Sequence, residues 1–268
     1  MHLKPLRSGA VVAGLILFGS GLVQGAPALG LDQQEEFLAK AKIVKVKEAK
    51  KGVTGTLRVT LSDGTTTHDA SVQTIDERRP GTYLGEVNFK DTYKFNVAGW
   101  RLAKLLGLDD MVPPSIERRY EGKAASYTWW IDDVKMDEVE RKAKNIQAPD
   151  QETWKMENAI LQVFDQLIYN MDRNQTNMLI DGQWHLWMID HGRGFRRQTS
   201  LKNPAALSRI DRDLLAKLKA LDKANLQKEL KSFAEPGEID GLMARRDLIV
   251  KFFDAKGDSA LFDRPRKN

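Results

Sequence analysis

Asp172, Asn177 and Asp190 carry the chemistry that the chain offers most plainly. Asp172 and Asn177 flank a loop of four residues, Arg173-Asn174-Gln175-Thr176, short enough to aim both side chains at one point. Residues 178–180 read as a strand, Asp181-Gly182 as a tight turn, and 184–189 as the return strand. A hairpin of that length sets the start of one strand beside the end of the other, so Asn177 and Asp190 are expected close together, with Asp172 near both. Two carboxylates and an amide oxygen suit Mg²⁺ or Mn²⁺, which prefer oxygen ligands. The same set suits phosphoryl transfer: one carboxylate orients the attacking hydroxyl, the other carboxylate and the amide hold the cation, and a positive side chain steadies the phosphates. The competing arrangement is structural, a helix cap, a strand start and a turn, with the three groups spread apart in the fold.

The elements that must position these residues come from a chain of 268 residues, enough for one bilobal domain or two small ones. A formal charge of +5 arises from 42 basic against 37 acidic residues, a mixed surface that favours anionic ligands slightly and is not a nucleic-acid footprint. The chain has no cysteine, which excludes disulfides, cysteine lipidation and thiolate zinc sites, and its four histidines make an imidazole metal cage a poor fit. Lys4 and Arg7 precede an apolar run over residues 10–23 that is broken by Gly14, Gly19 and Gly21, with Gly25, Ala26 and Ala28 after it. That order reads as a secretory signal peptide over 1–25 and a secreted or periplasmic mature chain. Membrane anchorage is the alternative if the segment stays uncleaved.

Residues 31–41 read as a short helix, and 42–47, 56–61 and 66–75 as three antiparallel strands. Gly52 and Gly55, in the turn between the first two strands, could bring backbone N–H groups to a phosphate, or form a plain hairpin turn. Residues 76–85 read as loop. An amphipathic helix is expected over 91–106, with Asp91 as its N-cap and Gly107 as its stop. Strands over 115–120 and 124–131 follow, then a charged connector over 132–149. Asp150 caps a helix over 151–169; after the hairpin come helices over 207–221, 224–233 and 239–253, and a frayed tail from 254. Strands then helices, with no internal repeat, predict an α+β chain of two lobes: residues 26–133, an antiparallel sheet with one helix, and residues 134–268, mainly helical.

Asp172-Arg173-x-x-x-Asn177 followed by Ile189-Asp190-His191-Gly192 resembles paired motifs of phosphatidylinositol lipid kinases and of HipA-type toxin kinases. The extension through Arg193-Gly194-Phe195 is similar to the Asp-Asn-Gly-Arg-Gly-Phe of the secreted four-jointed and Golgi casein-kinase group, which the signal-like segment also suits. The resemblance implies a bilobal protein-kinase-like fold binding ATP or another nucleotide with Mg²⁺ or Mn²⁺. Asp172 would be the catalytic base, and Asn177 and Asp190 the metal ligands. The acceptor would be a hydroxyl-bearing protein, sugar or small molecule. By the same resemblance Gln73 stands where the ATP-binding lysine usually ends its strand, and Asn96 where its glutamate partner lies. Lys90, Lys94 or Lys123 could supply the missing cation, and Glu86 a displaced carboxylate partner. Trp130 falls where a hinge would meet adenine; it could wall a base pocket or pack the lobes together. A working kinase and a nucleotide- or partner-binding pseudokinase both remain open.

Overall fold

Apolar residues at every second position build the first sheet. The computed structural model describes residues 29–48, 56–83 and 85–265, so the signal-like segment 1–25 and the turn carrying Gly52 and Gly55 lie outside the described residues. Helix α1 (Leu31–Lys40) leads into β1 (Lys42–Glu48), β2 (Leu57–Ser62) and β3 (Thr67–Gln73). With β6 (Ser115–Tyr120) and β7 (Lys123–Trp129) they make a five-stranded antiparallel sheet in the order β1-β2-β3-β7-β6. Val59, Leu61, Ala70, Val72, Ala125 and Tyr127 share one face and pack on Phe37 and Leu38 of α1. Strand alternation therefore puts Arg58, Thr60, Asp69, Ser71 and Gln73 on the other face.

Residues 76–85, expected as loop, are instead half of a hairpin. Strand β4 (Asp76–Tyr83) pairs antiparallel with β5 (Glu86–Thr92), with the register slipping between Arg79 and Thr82 where Pro80 and Gly81 sit. Most side chains of β4 are exposed, so no burial period of two marked it in the sequence. Asp91 accordingly lies in β5 and does not cap the next helix; α2 (Lys94–Leu106) starts after Tyr93 with no side-chain cap. Gly107 ends α2 in the left-handed region, at φ 64°, as a glycine stop requires.

The charged connector also carries more structure than expected. It contains β8 (Val134–Asp137) and α3 (Glu138–Ala143). Strand β8 joins β9 (Met178–Asp181) and β10 (Leu186–Met188) in a three-stranded sheet of order β10-β9-β8. The Asp150 carboxylate accepts from the N–H groups of Glu152 and Thr153 and starts α4 (Gln151–Ile168). Downstream lie β11 (Ile210–Asp211), α5 (Arg212–Ala220), α6 (Lys223–Leu230), α7 (Pro236–Lys256) and β12 (Leu261–Phe262). The tail is not frayed as far as Arg264: β12 pairs parallel with β11, and Arg264 donates to both Asp110 carboxylate oxygens at 2.9 Å and to the Gly107 carbonyl at 2.8 Å. Phe95, Trp100 and Leu102 of α2 share one large core with Phe164 and Leu167 of α4 and with Leu242 and Ile249 of α7. No helix among the described residues is long and apolar enough to cross a membrane.

Helix α7 approaches the segment after the hairpin closely enough to exclude a side chain. A Cβ on Gly241 would lie 2.8 Å from the carbonyl oxygens of Arg196 and Arg197, whereas one on Gly237 would meet nothing nearer than 3.5 Å. One turn on, the fully buried Arg245 donates to the carbonyls of Leu167, Arg196 and Gln198. Gly241→Ala is therefore expected to destabilise the protein by about 1–3 kcal/mol in urea unfolding. Gly237→Ala should be neutral or slightly stabilising, because alanine favours the helix.

Candidate active site

The hairpin β9–β10 brings its ends together as the spacing requires. The Ile189 N–H donates to the Asn177 carbonyl at 3.1 Å, and the Asn177 side-chain N–H donates to the Asp172 carbonyl at 3.3 Å. That second bond uses the donor end of the Asn177 amide, so its oxygen is the end that could face a cation. Asp172 is half exposed at the loop, its backbone N–H held by the Asn170 side chain at 3.0 Å. Arg173 is structural: it pairs with buried Asp165 and donates to the carbonyls of Asn177 and Ile189 at 3.0 and 2.7 Å, tying loop to hairpin. Asp190 takes a left-handed backbone at φ 56°, a conformation that costs a non-glycine residue about 1 kcal/mol or more.

The first half meets this loop through amides. Asn96, on α2, donates to the Gln73 side-chain amide oxygen at 2.5 Å and accepts from the His191 backbone N–H at 2.7 Å. The Gln73 amide donates to Thr56 at 3.1 Å and also reaches Asp190. What stands opposite Asp190 is therefore an amide and not a lysine. His191 is buried against Gly99 of α2, where a Cβ would lie 3.1 Å from the imidazole, and edge-on to Phe164. Burial holds its pKa well below the usual histidine range, so the ring is neutral packing.

None of the three lysines weighed as a substitute cation is paired with the Asp190 carboxylate. Lys90 binds Glu238 at 2.5 Å, Lys94 lies 3.5 Å from Asp76, and exposed Lys123 opens β7 at its turn with β6. Glu86 pairs with Arg193 and, at 2.7 Å, with Arg196, so the tip of the β4–β5 hairpin is pinned to the segment after Asp190. Arg193 also reaches Asp172 at 3.3 Å. Trp130 is half-buried beyond the end of β7, with the Arg58 guanidinium 4.1 Å from its ring centroid; Asp69, at 2.5 Å, holds Arg58 there. The guanidinium therefore covers one face of the Trp130 ring.

Sequence reasoning missed Asp91. It is 7% exposed on β5, and Thr92 next to it donates to the Gly192 carbonyl at 3.0 Å, which sets this strand end against the Asp190 turn. Burial, and then the charges of Asp190 and Asp172, push the Asp91 carboxyl up to about 6. Burial also raises Asp190, against the opposing pull of the Gly192 N–H, Arg173 and Gln73. No trio of carboxylates or imidazoles already stands in ligating positions among the described residues. The residues that could hold a cation are the Asp190 carboxylate and the Asn177 side-chain oxygen, a donor set whose all-oxygen chemistry would suit Mg²⁺ or Mn²⁺.

Solved structures share this architecture. A hydra Fam20 structure with sugar superposes over 87% of this chain and 92% of its own, at TM-score 0.63 and 14% identity. The Golgi casein kinase superposes over 88% and 79%, at 0.60 and 13%, and its Mn/ADP-bound form over 89% and 80%, at 0.62 and 11%. The chain has a Fam20-like kinase fold. No protein-family model and no curated protein sequence matches it. The expectation of a bilobal, kinase-like α+β architecture holds. Within this Fam20-like fold, a signal for Asp91 was present only as an acidic residue five positions before Asn96.

A carboxyl whose pKa is raised by folding binds its proton more readily folded than unfolded. Asp91 thus costs no stability below about pH 4 and costs progressively more as pH climbs to about 6. In chelator, Asp91→Asn should be more stable than the parent at pH 8 by up to about 3 kcal/mol and equal to it at pH 3.5. A variant that is less stable at pH 8 would contradict this electrostatic picture.

Proposed function

We propose that the protein is an exported, kinase-like phosphotransferase that moves a phosphoryl group from ATP or another nucleotide to a hydroxyl on a protein, sugar or small molecule. The observation that carries this reading is the convergence of Asp172, Asn177 and Asp190 at the ends of one hairpin. Asp172, half exposed and next to Arg193, orients the acceptor hydroxyl and takes its proton. Asp190 and Asn177 hold the divalent cation that, when bound, neutralises phosphate charge. The nucleotide lies between the sheet of residues 26–133 and the helices of 134–268, with Gln73 toward the phosphates and Trp130 toward the base. The Mn/ADP named for the Golgi casein kinase and the sugar named for the hydra Fam20 structure support nucleotide, Mn²⁺ and a hydroxyl acceptor as first ligands to try.

One observation favours a second reading. The Gln73–Asn96 hydrogen bond puts two neutral amides where a phosphate-steadying charge is expected. A pseudokinase that binds nucleotide or a partner without transfer would tolerate that exchange.

Residues 26–268 incubated with labelled ATP and Mn²⁺ or Mg²⁺ should label a hydroxyl acceptor or release phosphate slowly. Asp172→Asn should lower that rate by about 10²–10⁴ while nucleotide binding persists. Asp190→Asn should abolish cation-dependent nucleotide binding. Binding without turnover selects the second reading; neither binding nor turnover overturns both.

A further inference from the structure

We infer that Asp91 is a third protein ligand of the divalent cation, and that the site takes up this cation before any nucleotide arrives. The inference rests on the proposed kinase-like reading of Asp190 and Asn177, and it names a residue that reading does not need. Asp91 reaches the site because β5 ends against the Asp190 turn, fixed by the Thr92-to-Gly192 backbone bond of 3.0 Å. A Cβ added at Gly192 would lie 2.6 Å from an Asp91 carboxylate oxygen and 3.5 Å from one of Asp190. Both carboxylates therefore border one small gap, which exists because residue 192 has no side chain.

Asp91 has no structural occupation that would explain its place. It is 7% exposed, yet no hydrogen bond or ion pair to its carboxylate occurs among the described residues. It does not cap α2, which begins at Lys94 without a side-chain cap. The neighbouring cations are engaged elsewhere: Arg173 by Asp165, Arg196 by Glu86, and Lys90 by Glu238. An ionised carboxylate buried without a partner is costly, and a second one beside it raises the cost. A divalent cation removes both penalties at once, and its preference for oxygen matches Asp91, Asp190 and Asn177.

The placement also bears on the missing lysine. Replacing a Lys–Glu pair by Gln73 and Asn96 takes one positive charge from the phosphate side of the cleft. A cation held by two carboxylates and an amide, with no nucleotide needed to complete it, restores positive charge at that side. The fold thus exchanges a covalently attached cation for a bound one.

The test is a Mn²⁺ titration of nucleotide-free residues 26–268, read by the loss of the free Mn²⁺ paramagnetic resonance signal. Wild type should bind one ion. Asp91→Asn and Asp190→Asn should each weaken binding at least tenfold, and Asp63→Asn, on an exposed turn, should not change it. Unfolding in chelator controls for misfolding, since Asp91→Asn should then be at least as stable as wild type. Retention of wild-type Mn²⁺ affinity by Asp91→Asn overturns the inference, as does Mn²⁺ uptake by wild type only with nucleotide present. In either case Mn²⁺–ADP binding that still depends on Asp190 leaves the proposed function standing; loss of that as well removes both.

Discussion

The two-sided hydrogen bonding of Asn96 is the constraint on which the rest of the site depends. Its N–H end reaches Gln73 on β3 and its oxygen receives the His191 N–H, so one side chain joins sheet, helix and the Asp190 turn. A glutamate could accept from His191 but has no hydrogen to give Gln73, and a leucine could do neither. The pair Gln73–Asn96 is thus chemically matched to itself. Both residues are buried, where an unmade bond would cost more than a made one gains.

Around that bridge the two halves of the chain are tied by contacts that tolerate little. Gly99 gives the His191 ring its seat against α2, Thr92 holds the Gly192 carbonyl, and Glu86 spans Arg193 and Arg196. Arg193 and Arg196 are themselves buried enough that both guanidinium pKa values fall, Arg196 to about 10. The β4–β5 hairpin is therefore more than a surface ornament. One end carries Glu86 onto the arginines, and the other carries Asp91 to the gap beside Asp190.

The parts of the site written in local sequence were readable and the parts that depend on distant contacts were not. The hairpin, the Asp150 cap and the α2 glycine stop each follow from residue type and spacing over a few positions, and the observed elements match. The β4–β5 hairpin was hidden by its composition. Its charged residues find partners such as Glu235 and Glu238 far along the chain, so neither alternation nor hydrophobicity marks it. Asp91 was misread for the same reason: an aspartate ahead of a helix resembles a cap until the strand containing it is known. Arg264 looked like part of a loose basic tail, and only its forked contact with Asp110 shows otherwise.

The most direct measurement is a double-mutant cycle on the amide bridge, with unfolding free energies for Gln73→Ala, Asn96→Ala and the double variant. The account predicts a coupling of about 1 kcal/mol or more, with the double variant less destabilised than the sum of the single ones. Additive effects would contradict it, because they would mean that Gln73 and Asn96 do not depend on each other and that the sheet and the Asp190 turn are held together by something else.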